Sequence, residues 1–292
     1  MPSLLSQKAM LASLHIRQWS AVKMDRRVSR EVQEAHNAAA DAGRYNKRLV
    51  AKSALESIAQ IAGEAREEHY RRTLPWQDNG TRLLPTAGFV PYSERMRDLR
   101  AKFESAVESF VAEYPSIKEE ARVRLNGMFN EAEYPAAAEI ARRFAFERVI
   151  LNCPDAGDFR VDLAAEQVAE LQADIEARTR DALTEAMRDV WSRVNESVGH
   201  MARKLREYKP GEDGKRAEGV FRDSLVENVR DLVELLPALN LTGSDELAKV
   251  AARMEKELCR ESAKDLRDNA SARESVAAAA ESILATVGGY LA

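Results

Sequence analysis

Residues 163–208 read LAAEQVAELQADIEARTRDALTEAMRDVWSRVNESVGHMARKLREY, and this stretch decides the fold class. It holds no proline, and its one glycine, Gly199, comes late. Apolar or small residues recur at Ala164, Val168, Leu171, Ile175, Thr179, Leu183, Met187, Val190, Val194, Val198, Met201 and Leu205. That is 41 residues in 11 steps, ~3.7 per step, the period of an α-helix and not the alternation of a strand. Such a helix is about 65 Å long, more than a compact domain needs to fill its core. A two-stranded left-handed coiled coil repeats at about 3.5 residues per turn. This stripe lies nearer an 11-residue repeat, so a parallel zipper dimer is not expected. Thr179, flanked by Glu176, Arg178, Arg180 and Asp181, divides an acidic first half from a more apolar second half. The expectation is a nearly straight spine. Its Leu183–Leu205 half packs on neighbouring helices, and its Ala164–Ile175 half leans on a small sheet or reaches a neighbour. Ile175, Leu183, Met187, Val190, Trp191 and Val194 are the candidate interaction residues.

The rest of the composition agrees with a mainly α chain. Of 292 residues 45% are apolar, 32% are charged and only 6% are aromatic, the profile of long solvated helices. The net charge of −4 gives no global attraction to nucleic acid or an anionic membrane. No run approaches 18 apolar residues and Met1-Pro2-Ser3 opens no apolar leader, so a soluble cytoplasmic protein is expected. Cys153 and Cys259 fit no metal spacing and read as idle thiols in a reducing compartment.

Taken in order, residues 11–24 contain a strand candidate. Asp25 is a good N-cap for a helix to about Gly43, and a second helix is expected over about Tyr45–Arg72. Three prolines and two glycines between Pro75 and Pro91 predict a long loop. Met96, Leu99, Phe103, Val107 and Phe110 stripe a third helix over about Ser93–Glu113. Pro115 resets the chain, and Ser116 with Glu119 suggests a capping box for a short fourth helix. A fifth opens at Pro135. Residues 146–151 (FERVIL) and 158–163 (DFRVDL) bracket a Pro-Asp-Ala-Gly turn and predict a hairpin, joined by the N-terminal strand. After the long helix, further helices are expected at about Ala217–Leu236, stopped or kinked by Pro237, at about Asp245–Asp268, and from a Ser271 cap to Gly288. The domain reading is residues 1–162, a helical region with the small β element and the Pro-rich loop, then 163–292, the spine and C-terminal helices, with one continuous domain as the alternative.

No reactive constellation emerges. His15, His36, His69 and His200 lie in no HExxH or ExxH pattern. Glu196 and His200 sit four apart on the long helix and read as an exposed polar pair. The segment 211–216 lacks the spacing and the Ser or Thr of a phosphate loop, and no GxSxG occurs. No catalytic residue, cofactor or metal ligand is assigned, and the chain is read as a non-enzyme. One asymmetry remains: residues 1–50 carry nine cations and four acids, a net +5 in a chain of net −4. Arg17, Trp19, Lys23, Arg26, Arg27 and Arg30 therefore form a candidate nucleic-acid contact, pairing phosphate neutralisation with an aromatic face. The alternative is that Arg26, Arg27 and Arg30 pair with acidic helices of this chain or a neighbour.

Several stretches together resemble an uncharacterised family of bacteriophage and prophage proteins. They are LHIRQWSAVKMDRRVSREV (14–32), LPWQDNGTRLLP (74–85), FNEAEYP (129–135), ILNCPDAGDFRVDL (150–163) and AMRDVWSRV (186–194), spread over roughly residues 10–240. The resemblance implies a phage-encoded protein of the infected cell's cytoplasm. It also implies a neighbourhood shared with a MoxR-type AAA+ ATPase and a von Willebrand A-type protein, and no catalytic residue. At Cys153 the family pattern calls for a small apolar residue such as valine, which argues against thiol chemistry. The overall expectation is an elongated helical bundle that works by self-association, as a homo-oligomer, or by binding a phage-encoded partner. DNA binding in replication or recombination is the alternative.

Overall fold

A computed structural model describes residues 4–76, 80–158, 165–211 and 216–291. From the N-terminus, α1 (Leu4–Lys8) runs into β1 (Ala9–Arg17), and after Ala21, held at φ 49°, the chain turns into β2 (Val22–Met24). Asp25 caps α2 (Arg26–Ala35), accepting from the Arg27 and Val28 amides as its side chain predicts. β3 (Asn46–Arg48) follows, and a 3-10 turn leads into α3 (Glu56–Arg72). β4 (Leu74–Pro75), β5 (Arg82–Pro85), α4 (Phe89–Leu125), α5 (Ala137–Ile140) and β6 (Ala145–Asn152) precede the long helix α6 (Ala165–Glu207). The chain ends in α7 (Ser224–Leu239), α8 (Asp245–Leu258), α9 (Ala263–Asp268) and α10 (Ala270–Val287). The fold is therefore mainly α. Its strands form a four-stranded sheet of order β4-β5-β1-β6, in which β4–β5 and β5–β1 are antiparallel, and a two-stranded antiparallel β2–β3 ribbon.

Two compact units interleave in the sequence. The first comprises Met1–Ser13, Tyr70–Tyr92 and Val149–Ala292, the second Leu14–His69 and Ser93–Arg148. The expected boundary between residues 162 and 163 lies outside the described residues.

In the first unit the C-terminal half of α6 supplies Ala186, Val190, Val194, Val198, Met201 and Leu205 to a core shared with α7, α8 and α10. Each such aliphatic side chain contributes about 1.5–3 kcal/mol on burial. Arg193 of α6 donates to the carbonyls of Tyr70 (3.1 Å), Arg71 (2.8 Å) and Thr73 (2.8 Å), so it closes the C-terminus of α3. At the far end Arg206 grips Glu274 and Glu281 of α10.

In the second unit α4 buries Met96, Leu99, Phe103, Phe110, Tyr114, Ile117, Ala121 and Leu125 along one stripe. Phe103 lies against Phe146 at 5.7 Å, and Phe110 against Phe144 at 5.6 Å. This stripe explains the first departure from expectation. The third and fourth helices are one helix, and Pro115 sits inside it with its ring exposed. An internal proline costs about 3 kcal/mol. Burial of Ile117 and Leu125 beyond it returns about 1.5–3 kcal/mol each, so the helix continues and Ser116 caps nothing.

The other corrections have similar causes. The expected helix over Tyr45–Arg72 begins only at Glu56, because Asn46–Arg48 pairs with β2 and buries Lys47. The α2 helix stops at Ala35, short of Gly43, where Gln33 donates its side-chain amide to the carbonyls of Ala40 and Gly43. The loop expected between Pro75 and Pro91 contains β5 and the start of α4. β6 forms, but in the sheet order it lies beside β1. Of its proposed hairpin partner, Asp158 ends a 3-10 turn and 159–163 lie outside the described residues. α7 begins at Ser224 and runs through Pro237, whose ring is exposed while Leu236 and Leu239 are buried. The helix expected over Asp245–Asp268 is two, separated at Cys259, with Ser262 and Asp265 forming a capping box for α9. Asn269, not Ser271, caps α10.

Residues expected at the start of α7 instead return along the end of α6. Lys209 and Glu218 exchange both backbone hydrogen bonds at 3.0 Å, and Phe221 meets the Tyr208 ring at 5.2 Å. Gly219 has φ 65°, and a Cβ there would collide with the Glu207 carbonyl. Gly219→Ala is therefore expected to destabilise the first unit by about 2 kcal/mol or more, read as a lower denaturant midpoint at unchanged slope.

Candidate functional site

The long helix changes environment along its length. Between Ala165 and Arg178 none of its residues is buried, and the first that is, Thr179, is 7% exposed. Of the six candidate interaction residues, Val190, Trp191 and Val194 are consumed by the first unit's core, and Leu183 and Met187 pack against it. Trp191 stacks on Tyr290 at 4.4 Å. Ile175 alone stays on the outer half, with half-buried Val168 and with Leu171, which is 38% exposed. Thr179, expected to interrupt the stripe, is itself buried. Of the exposed carboxylates on this half, Asp174 and Glu176 flank the stripe, and Glu166 and Glu170 lie toward the opposite face. The nearest cation along the helix, Arg178, approaches Asp174 at 3.9 Å, both largely exposed.

A cavity of about 450 Å³ opens beside this half, between α6 and the 154–157 turn. Glu176, Thr179 and Arg180 line it with Asp155 and Gln172, and the last two are tied down. Asp155 accepts from the Ser6 hydroxyl (2.7 Å) and the Gly157 amide (2.9 Å), and Gln172 donates to the Ala156 carbonyl (3.0 Å). Ile175, Leu183 and Leu5 supply its apolar walls.

The candidate nucleic-acid residues are dispersed in role. Arg17 donates to the Arg142 carbonyl at 3.1 Å, and Arg27 to Glu31 and the Gly127 carbonyl at 3.2 Å each. Trp19 is half-buried against Phe110 (6.2 Å) and Tyr114 (6.0 Å), so its ring belongs to the second unit's aromatic cluster. Lys23, Arg26 and Arg30 are exposed and, among the described residues, make no ion pair, as is also true of Arg44. Beneath them lies a group that the sequence reading missed. The Lys47 ammonium, on a residue only 4% exposed, meets Asp25 at 3.0 Å, Glu133 at 2.9 Å and the Met128 carbonyl at 2.7 Å. Hydrogen bonds from the Val28 amide and Lys47 hold the Asp25 carboxyl below its usual value. Burial opposes the Lys47 charge, but the bonds to Glu133 and Asp25 outweigh it and raise the ammonium above its usual value. Only the apolar pair Leu49-Val50 after Lys47 hinted at this burial.

Burial pushes both thiols, Cys153 and Cys259, up to about 11, so neither ionises near neutrality. Among the described residues no three His, Cys, Asp or Glu side chains gather as metal ligands, and no helix is long and apolar enough to cross a membrane. No protein-family model, curated protein or solved structure matches the chain.

Removing Lys47 leaves Asp25 and Glu133 with an uncompensated buried charge. Lys47→Ala is expected to cost about 3–5 kcal/mol in urea unfolding. In the wild type the Asp25 contribution is complete above pH 3.8 and is lost as pH falls further; that of Lys47 is complete below pH 10.5 and is lost as pH rises through its raised value. A melting temperature that falls at both extremes fits this linkage, and one that stays flat contradicts it.

Proposed function

We propose that the protein is a non-enzymatic helical scaffold or adaptor that acts by self-association and by contact with another protein. The carrying observation is the outer half of α6, where Leu171 is exposed and Val168 and Ile175 are only half-buried, with Asp174 and Glu176 flanking them. A helix buries such a stripe against another surface or pays for it in stability. In this reading α6 is the spine of an elongated bundle whose anchored half presents the other half to a partner. The phage setting, the infected cell's cytoplasm and a MoxR-type AAA+ ATPase as partner belong to the same proposal, supported by the resemblance of the five stretches quoted above. Leu171→Glu/Ile175→Glu is expected to abolish association in light scattering and in pull-down of the ATPase, while the melting temperature changes little. A wild-type protein that is strictly monomeric and captures no phage-encoded partner contradicts the reading.

A second reading, DNA binding in replication or recombination, is favoured by one observation: Lys23, Arg26 and Arg30 are exposed without ion pairs among the described residues. It expects a gel shift that weakens steeply with salt, with log K falling by about 0.9 per phosphate contact for each unit of log salt. The shift should disappear in Arg26→Glu/Arg27→Glu. An absent or salt-independent shift removes it.

A further inference from the structure

We infer that the outer half of α6 in one copy docks on the α2 face of a second copy, a head-to-tail contact that rests on the self-association reading above. Residues 165–177 contain four acids and no cation. Two outer halves laid against each other would oppose acid to acid, and like charges across an interface disfavour that pairing. Beyond Arg178 the stripe is already taken, since Thr179 and Ala186 are buried in the first unit's own core. The occupant is therefore a surface that is apolar at its centre and cationic at its edge.

The second unit carries such a surface. An apolar cavity of about 360 Å³ lies between α2 and the 36–45 loop, with Val32, Ala38, Ala42 and Tyr45 in its lining and Arg44 at its rim. Val32 is 49% exposed and Tyr45 39%. The loop that shapes it is held in place by Gln33, which binds the Ala40 and Gly43 carbonyls, and by the Ser29 hydroxyl, which accepts from the Tyr45 amide at 2.9 Å. Arg26, Arg30 and Gln33 form one row along α2, spaced by four and three residues, and Gln33 lines the cavity, so the cationic row borders it. Of the acids on this face, Asp25 is held by Lys47 and Glu31 by Arg27, leaving Glu34 and Asp41 against Arg26, Arg30, Arg44 and Lys23.

The two surfaces match in pattern as well as charge. Val168, Leu171 and Ile175 have the i, i+3, i+7 spacing by which an amphipathic helix anchors in an apolar groove. Asp174 and Glu176, which flank this stripe on either side, face the cationic row. Because the two surfaces differ, the contact is heterologous: each copy keeps one free face of each kind, and association grows beyond a dimer unless rotation closes a ring.

Charge exchange tests this. Asp174→Arg/Glu176→Arg alters one face and Arg26→Glu/Arg30→Glu the other; both place good helix formers at exposed positions, and circular dichroism checks that each variant is folded. In sedimentation velocity at low salt, the wild type is expected to form species larger than a dimer as concentration rises. Each variant alone should associate at least about tenfold more weakly. The equimolar mixture, in which the reversed faces complement one another, should regain assembly. A wild type that stays monomeric overturns the inference, even if its outer α6 half still captures the ATPase and so preserves the broader reading. Variants that assemble like the wild type, or a mixture that stays dissociated, also overturn it. A monomer that uses Arg26 and Arg30 to bind a DNA duplex does the same.

Discussion

The passage of one helix from solvent into an apolar core is the constraint on which the account depends. From Thr179 onward α6 is held by α7, α10 and β4, with Arg193 and Arg206 fixing it at points along its length. Before Thr179 nothing of the helix is buried. An isolated helix of about 12–15 residues is marginal in water, so the outer half owes its order to being the continuation of an anchored one. Its Leu171 is thereby presented in helical register on the exposed face, with half-buried Val168 and Ile175 beside it. A loop could not hold three apolar anchors and four carboxylates in fixed spacing; a helix extended from a core does.

The second unit solves a different problem. Its aromatic residues gather along α4, where Trp19, Phe110, Tyr114 and Phe144 meet, and its polar centre is a buried lysine with two carboxylates. The ion group ties together the α2 cap, the β3 strand and the 126–134 segment, three pieces with little apolar surface of their own. Holding Asp25 and Glu133 on Lys47, it leaves Arg26 and Arg30 on the outside unpaired among the described residues. The burial of one cation thus helps to set the charge of the surface above it.

How far the sequence could be read follows from the same physics. α6 was legible almost to its ends, Ala165–Glu207 against an expected 163–208, because forty residues of one period leave little ambiguity. The Asp25 cap was legible because a cap acts within three residues. Pro115 and Pro237 misled because the local penalty was outweighed by buried residues on the far side, which no local rule weighs. Lys47 misled because its partners lie 22 and 86 positions away in the chain. Trp19 looked like a stacking face among cations, yet Phe110 and Tyr114, more than ninety residues on, cover it. Along the stripe itself, periodicity identified which residues share a face but not where the cover ends; that depends on the length of α10 and α7, not on α6.

Amide hydrogen exchange followed by mass spectrometry, run on dilute and on concentrated protein, tests the central claim most directly. The account predicts that peptides within 165–178 exchange quickly in dilute solution while those within 186–205 are strongly protected, and that the outer half gains protection as the protein associates. Equal protection of both halves in dilute solution, or an outer half whose exchange is the same at every concentration, would contradict it.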